Sequence, residues 1–435
     1  MLALKVDAAV HRARTQVRDR FDDELSVRLL RDRYLALDRL RHDKNSSSWV
    51  TAHLFGRPAL VVKGAEGVRT FYDEELITRK RAVPAAVRLV LFGPGTVHRL
   101  EGDEHRQRKS LMVELSTGTD INALSELVSL GLAEAIDRWT MRGSVDLFQG
   151  LVAVYGRAVV DWVGAPTIGD EAEAVARECA AILEGFGIGG GPYPRAVLGR
   201  VYVQRWALHV IRATRKGRWA PPKGSVVDVL ASQPVARLSD MSAATELVNI
   251  VRPTIAIAYF AVFGAHALGS FADPQMRQTM ATGDERMLRA FEHEVRRWYP
   301  FAPLLAGRLR RTYSIDDVTL RPGSWMVLDI RGTNRDEDTW KGADEFWPQR
   351  FLDRAPTAYD FVPQGGGELL TGHRCPGEPI TMGVMQTTLQ QLATLDYEIA
   401  PESRDIPLTR IPSRPVHGLR LNGVRRVATT RSDAR

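Results

Sequence analysis

The sequence contains little cysteine, and its N-terminal segment has no uninterrupted hydrophobic run. Its two cysteines, Cys179 and Cys375, are far apart in a chain of 435 residues, which argues against a disulfide framework. Cys179 falls in a helical pattern, where we expect a small buried hydrophobe. Residues 1–20 are interrupted by basic side chains, so they form neither a signal-peptide core nor a membrane span. We therefore expect a cytoplasmic protein without integral membrane association.

Signatures of phosphate and nucleic-acid binding are also missing. The glycine run at 189–191 lacks the Lys-Ser/Thr pair of a P-loop and follows no strand, so we interpret 185–194 as a mobile connector. The net charge of +7 comes partly from arginines in the C-terminal tail. No recognised nucleic-acid module accompanies this charge, and we expect no nucleic-acid partner.

Helical periodicity dominates the chain, and it predicts helices at 103–115, 121–138, 147–163, 170–186, 196–216, 226–232, 240–268 and 284–298. Two strand patterns, 51–55 and 59–62, flank a turn and predict a small N-terminal sheet. We therefore expect a mainly α domain with small β-sheets at its edge. It would span residues 1–435, with frayed termini at about 1–20 and 423–435.

Cys375 lies in a glycine-rich loop, residues 361–379, which precedes a helical pattern at 380–395. At that place the first N–H groups of the helix and its dipole favour a thiolate. A phosphatase loop would need an arginine six residues later, where the chain has Thr381. A zinc site would need four ligands, and His373 with Cys375 supplies at most two. A cysteine nucleophile and an inert structural cysteine both remain open.

Three charged residues accompany the cysteine loop. Glu294 and Arg297 stand one helical turn apart, a spacing that by itself usually marks a solvated face. Arg350 follows in the segment 346–351 and is a candidate to close the pair into a buried triad. The order Glu-x-x-Arg, Pro-x-Arg-Phe and Cys-Pro-Gly before a helix resembles the cytochrome P450 superfamily.

This resemblance extends over about residues 49–395. It implies the cytochrome P450 fold, in which haem b lies between a long distal helix, here 240–268, and the proximal helix after the cysteine loop. It also implies that Cys375 is the axial thiolate of the iron and that the triad holds the cysteine loop. The residues that match haem-propionate partners are Arg79, His105 and Lys109.

The middle of the distal helix departs from the common monooxygenase pattern, because it lacks the acid-threonine pair. It carries Arg252-Pro253 in a nearly all-apolar helix, and Pro253 is expected to open that helix. A buried guanidinium needs a carboxylate, which an acid on another helix or a substrate would supply. Arg252-Pro253 and Gln-Gly-Gly-Gly at 364–367 resemble the fatty-acid peroxygenase branch of the superfamily.

The branch implies catalytic roles for Arg252, Pro253 and His98. Arg252 would hold the carboxylate of a long-chain fatty acid, which would act as general acid-base on hydrogen peroxide without an obligatory redox partner. Oxidation at Cα or Cβ would give 2- or 3-hydroxy acids, or terminal alkenes by decarboxylation. His98 resembles alkene-forming members, although a lone histidine is often only a satisfied polar group. Phe92 is expected to pack against the acyl chain.

Two other functions stay open. A conventional cytochrome P450 monooxygenase would take electrons from a ferredoxin or flavoprotein, and the positive net charge would suit an acidic redox partner. Arg252-Pro253 would then be unexplained. A haem or lipid binding protein without catalysis predicts that replacing Arg252 weakens acid binding and abolishes no reaction.

Overall fold

Helices make up most of the structure. The computed structural model describes residues 23–427 except 47, 98–99, 118–119, 167–168, 186–190 and 233–237. The α-helices of this part are α1 (Leu25–Asp32), α2 (Ala36–Asp43), α3 (Gly64–Tyr72), α4 (Ala85–Leu91), α5 (Gly102–Thr117), α6 (Ile121–Arg142), α7 (Leu147–Trp162), α8 (Glu171–Gly185), α9 (Pro192–Arg215), α10 (Val226–Ala231), α11 (Asp240–Phe271), α12 (Pro274–Ala281), α13 (Glu285–Trp298), α14 (Ile330–Asn334), α15 (Arg350–Asp353) and α16 (Glu378–Ala393). The mainly α fold class is confirmed.

Three small sheets lie beside the helices. The strands are β1 (Trp49–Leu54), β2 (Arg57–Val62), β3 (Ile77–Thr78), β4 (Ser144–Asp146), β5 (Leu304–Leu309), β6 (Tyr313–Ile315), β7 (Val318–Leu320), β8 (Trp325–Asp329), β9 (Leu395–Ile399) and β10 (Arg420–Arg426). They form sheets in the orders β1-β2-β8-β5-β3, β4-β10-β9 and β6-β7. The pair β2 and β8 is parallel, and the other pairs are antiparallel.

The long helix α11 forms the centre of the main hydrophobic core. It begins at Ser239, whose side chain accepts a hydrogen bond from the N–H of Ser242. From Ala243 to Leu268 every residue except Pro253 is buried. The helix is long and apolar enough to cross a membrane, but 94% of its apolar window is buried inside the protein. Such burial is typical of a core helix in a soluble protein.

Two helices carry the residues around Cys375. Helix α13 begins after Asp284, whose carboxylate accepts from the N–H of Met287 at 2.7 Å. It buries Glu294 and Arg297 on the side that packs against α15 and α16. Helix α16 begins directly after the cysteine loop, with Pro379 in its first turn, where a missing N–H costs nothing. The loop is thereby fixed between two packed helices.

Several boundaries differ from the sequence prediction. The predicted connector 185–194 ends early, because Pro192 already starts α9 and proline suits a first helical turn. The predicted frayed tail from 423 is wrong at its start, because β10 pairs with β9 as far as Arg426. Helix α11 continues through Pro253, so the expected opening is not a break in the helix. Residues 1–22 and 428–435 lie outside the described residues.

Candidate active site

Cys375 is held by backbone contacts within its loop. Its N–H donates to the carbonyl of Gln364 at 3.2 Å, and its sulfur accepts from the N–H of Gly377. The Gln364 side-chain amide lies 4.0 Å from the sulfur and donates to Thr381 Oγ1 at 3.0 Å. Burial raises the pKa of the Cys375 thiol, whereas the Gly377 N–H and the charge of Lys109 act in the opposite direction. A bound metal cation would favour the thiolate.

The structure brings the three residues of the predicted triad together. Arg297 Nε and Nη2 lie 2.7 and 2.8 Å from the two carboxylate oxygens of Glu294. Arg350 Nε lies 3.3 Å from Glu294 Oε1, and all three residues are buried. The remaining Arg297 N–H groups donate to backbone carbonyls at 2.8 to 3.0 Å. The triad therefore fixes the segment before the cysteine loop against α13.

A second charged network lies behind the cysteine loop, and we did not predict it. Arg296 Nη1 donates to Glu378 Oε1 at 2.8 Å and to Gln364 Oε1 at 3.1 Å. Arg296 also forms an ion pair with Glu292, and Arg374 Nε donates to Glu378 at 2.6 Å. The network joins α13 to both ends of the loop that carries Cys375. The spacing of four residues between Glu292 and Arg296 was the only signal in the sequence.

The distal side of the site is one face of α11. Pro253 is only partly buried, although its neighbours in this helix are buried. Ala256, Asn249 and Arg252 keep 8%, 7% and 6% of their accessible surface, and they share a face with Pro253 at helical spacing. This face therefore keeps more accessible surface than the rest of the middle of α11.

Arg252 has no acidic partner in the described part of the chain. No carboxylate lies within ion-pair distance of it there, and its buried Nε has no hydrogen-bond partner. Its Cζ lies 5.9 Å from the ring centroid of Phe92, which is the C-cap residue of α4. Burial lowers the pKa of Arg252 to about 10, so the guanidinium is charged at neutral pH. An acid on another helix, one of the two partners that the sequence left open, is therefore absent from the described residues.

The predicted propionate partners lie around the cysteine loop. Arg79 donates to two backbone carbonyls at 3.2 and 3.5 Å, and Lys109 Nζ donates to the carbonyl of Arg374. Neither side chain forms an ion pair within the residues that the structure describes. Burial lowers the pKa of Lys109 to about 8 and also lowers that of His105, whose ring lies 4.2 Å from His373. The positive charges of Arg79 and Lys109 have no carboxylate partner among the described residues. Basic side chains of this kind beside a cysteine sulfur fit an iron macrocycle with carboxylate substituents.

The loop after Phe92 completes the described site. The N–H of Val97 donates to Glu246 Oε1 at 3.1 Å, which ties the loop to α11. His98 lies outside the described residues, so its predicted role stays a prediction.

The chain matches the cytochrome P450 family over residues 272–410. Its structure is similar to that of cytochrome P450SP alpha in complex with (R)-ibuprofen. The two share 31% sequence identity, the match covers 91% of this chain and 98% of the other, and the TM-score is 0.85. The chain belongs to the cytochrome P450 family. The predicted family and its haem with an axial thiolate are thereby confirmed.

Two further proteins resemble this cytochrome P450. Ligand-free cytochrome P450 OleT is 28% identical, with 94% of this chain and 98% of the other covered and a TM-score of 0.88. A variant of cytochrome P450 OleT in complex with arachidonic acid matches equally well. Cytochrome P450 137 of Mycobacterium tuberculosis is 26% identical over an alignment of 371 residues, and the match covers 80% of this chain and 72% of that protein.

Proposed function

We propose that this cytochrome P450 is a peroxygenase that uses hydrogen peroxide to oxidise long-chain fatty acids at Cα or Cβ. The products are 2- or 3-hydroxy acids, terminal alkenes formed by decarboxylation, or both. The observation that carries the proposal is the buried, charged Arg252, which has no carboxylate partner in the described residues. Two structural relatives have solved structures in complex with carboxylic acids, namely ibuprofen and arachidonic acid.

Arg252 binds the carboxylate of the fatty acid. Its planar guanidinium donates two parallel hydrogen bonds, which fix both the position and the orientation of the head group. Because Arg252 holds the head group in place, only the first carbons of the chain, Cα and Cβ, come within reach of the oxidant. Phe92, whose ring lies near the guanidinium, packs against the start of the acyl chain.

The bound carboxylate also acts as general acid and base toward hydrogen peroxide. Haem with an axial thiolate, when bound, supplies the oxidising chemistry. The middle of α11 has Val251-Arg252-Pro253-Thr254, so no acid-threonine pair is present there to relay protons. A second lone pair of the bound carboxylate instead accepts a proton from one oxygen of hydrogen peroxide and returns it to the other. The O–O bond breaks, the oxygen that receives the proton leaves as water, and the other oxygen atom is the one used to oxidise the fatty acid.

Cys375 is the thiolate ligand in this proposal. Glu294, Arg297 and Arg350 hold its loop from one side, and the network around Arg296 holds it from the other. The propionates bind near three side chains that have no carboxylate partner in the described chain, namely Arg79, His105 and Lys109.

The proposal has three further parts, which concern domain organisation and localisation, the oxidant, and the product. The whole chain, residues 1–435, forms one domain in a cytoplasmic protein. Hydrogen peroxide serves as the oxidant, so no redox partner is obligatory. His98 favours alkene formation, which a product analysis over acids of different chain length will test.

The decisive comparison is between two oxidant systems. The purified holoenzyme is incubated with a C12 to C18 fatty acid and hydrogen peroxide alone, or with a reductase system and NADPH, and products are identified by mass spectrometry. We expect hydroxy acids or alkenes with peroxide alone. Product that forms only with the reductase would identify a conventional monooxygenase, and no product in either case would indicate a binding protein.

A further inference from the structure

A second buried arginine lies beside Arg252 and has no role in the proposed reaction. Arg200 in α9 keeps 6% of its accessible surface. Its Nη2 donates to the side chain of Gln204, but its buried Nε and Nη1 have no hydrogen-bond partner. No carboxylate of the described residues lies within ion-pair distance of it. Burying a cation without an ionic partner, and with N–H groups that donate no hydrogen bond, is unfavourable. We therefore expect a ligand to supply the missing negative charge and the missing acceptors.

The helices α9 and α11 place Arg200 close to Arg252. Arg215 pairs with Asp240 at 2.6 Å, and Gln204 donates to Thr245 at 3.2 Å, so the two helices run antiparallel. With the same rise per residue in both helices, the Gln204–Thr245 contact places Arg200 level with Asn249, and the Arg215–Asp240 contact places it level with Ile255. Arg200 therefore stands beside the stretch of α11 that contains Arg252.

Both guanidinium groups also touch the same loop. A Cβ on Gly93 would lie 1.8 Å from Arg200 Nη2, so only glycine leaves room for this side chain. The ring of Phe92, the residue before it, is the one that Arg252 approaches. Burial and the charge of Arg252 both lower the pKa of Arg200, to about 10, which is consistent with two neighbouring cations.

Glu246 is the acidic residue whose charge acts on Arg200, but its carboxylate oxygens are engaged by other groups. Glu246 is fully buried, and its Oε1 accepts from Arg108 at 2.8 Å and from the N–H of Val97 at 3.1 Å. Its Oε2 accepts from Asn249 at 3.0 Å. Glu246 therefore compensates Arg108. The fatty acid carboxylate balances the positive charge of Arg252, and the positive charge of Arg200 then has no ionic partner among the described residues.

We propose that Arg200 is a second carboxylate-binding residue, so that the site accepts fatty acids that carry a second carboxylate close to the first. The proposal rests on the proposed function, because it takes the first carboxylate to be held by Arg252. An alkylsuccinic acid carries its two carboxylates on neighbouring carbons, so one carboxylate can bind Arg252 while the other reaches the neighbouring Arg200.

Calorimetric titration of the holoenzyme with dodecanoic acid and with nonylsuccinic acid, which is dodecanoic acid with a second carboxyl group on Cβ, tests this proposal. We expect the diacid to bind about tenfold more tightly than the monoacid, as one added charge-assisted hydrogen-bonded contact provides. In Arg200→Gln the advantage of the diacid is lost, and the affinity for dodecanoic acid changes less than about twofold. Arg200→Lys keeps part of the advantage, because it keeps the charge and loses the planar fork.

Arg205→Gln, an exposed position on the same helix, is the matched control and keeps the advantage. Equal affinities for the two acids in the wild-type protein, or equal weakening of both by Arg200→Gln, would overturn the proposal. The haem absorption spectrum and the thermal unfolding midpoint show that each variant is folded. The ratio of the two affinities is measured without turnover. A failed peroxide assay would therefore count against the proposed function, but it would not change the interpretation of the binding experiment.

Discussion

Two buried arginines on either side of the site have opposite surroundings. Arg297, on the proximal side, uses its donors on Glu294 and on backbone carbonyls. Arg252, on the distal side, is as well buried but has no carboxylate partner in the described residues. Both lie in helices of the core. The difference shows that the protein itself stabilises Arg297, whereas it leaves the charge of Arg252 without a carboxylate partner among the described residues at some expense of stability. In the proposed function the ligand supplies that partner.

Arg297→Ala is expected to have the largest effect on stability, because it leaves the Glu294 carboxylate buried without its main partner. Removing one member of a buried pair costs about 3–5 kcal/mol, a large part of the stability of most domains. We expect little folded holoenzyme, measured as haem content and by thermal unfolding. Arg289→Ala, exposed on the same helix, serves as the control. A stable, fully haem-loaded Arg297→Ala protein would show that the triad does not hold the loop.

Cys375→Ser separates the two sides of the site, because it removes the sulfur without changing either arginine. We expect the reduced carbon monoxide complex to lose its thiolate-type absorption band and peroxide-driven turnover to disappear. Fatty acid binding, measured by calorimetry, should remain, since Arg252 is intact. If the band persisted, Cys375 would not be the ligand.

Phe92→Ala is expected to have a smaller effect, confined to the distal side. Loss of the apolar contact with about one methylene of the acyl chain costs about 0.8 kcal/mol, so the dissociation constant of a long-chain acid should rise roughly fourfold. Thermal stability should stay close to that of the wild type. Leu89→Ala, at an exposed position of α4, controls for shortening a side chain nearby. An unchanged dissociation constant in Phe92→Ala would place the acyl chain elsewhere.

Local signals explain how much of the fold could be predicted. The helices that begin at Ile121, Leu147 and Asp240 start where the sequence predicted, because Asp120, Asp146 and Ser239 precede them as typical N-cap residues. Strands β9 and β10 were missed because their pairing joins distant parts of the chain. Helix α12, with only two turns, was missed between two stronger patterns.

In the candidate site, too, some residues were indicated by the sequence and others were not. Motif spacing indicated Cys375 and the triad, and the apolar surroundings of Arg252 in the sequence indicated that it is buried. Arg200 could not be predicted, because it lies in a helix with many arginines and its burial depends on packing against α11 and Gly93. The network around Arg296 likewise depends on which residues of α13 meet the loop before α16.

The most direct test of the account is turnover by Arg252→Ala with hydrogen peroxide, with and without an added short carboxylic acid. Without the short acid we expect product formation from a long-chain fatty acid to fall by about 10²-fold or more, since the proton relay is lost. The unfolding midpoint should not fall, because an uncompensated buried charge has been removed. Added short acid should restore peroxide-driven oxidation in part. Full activity of Arg252→Ala without any short acid would contradict the account.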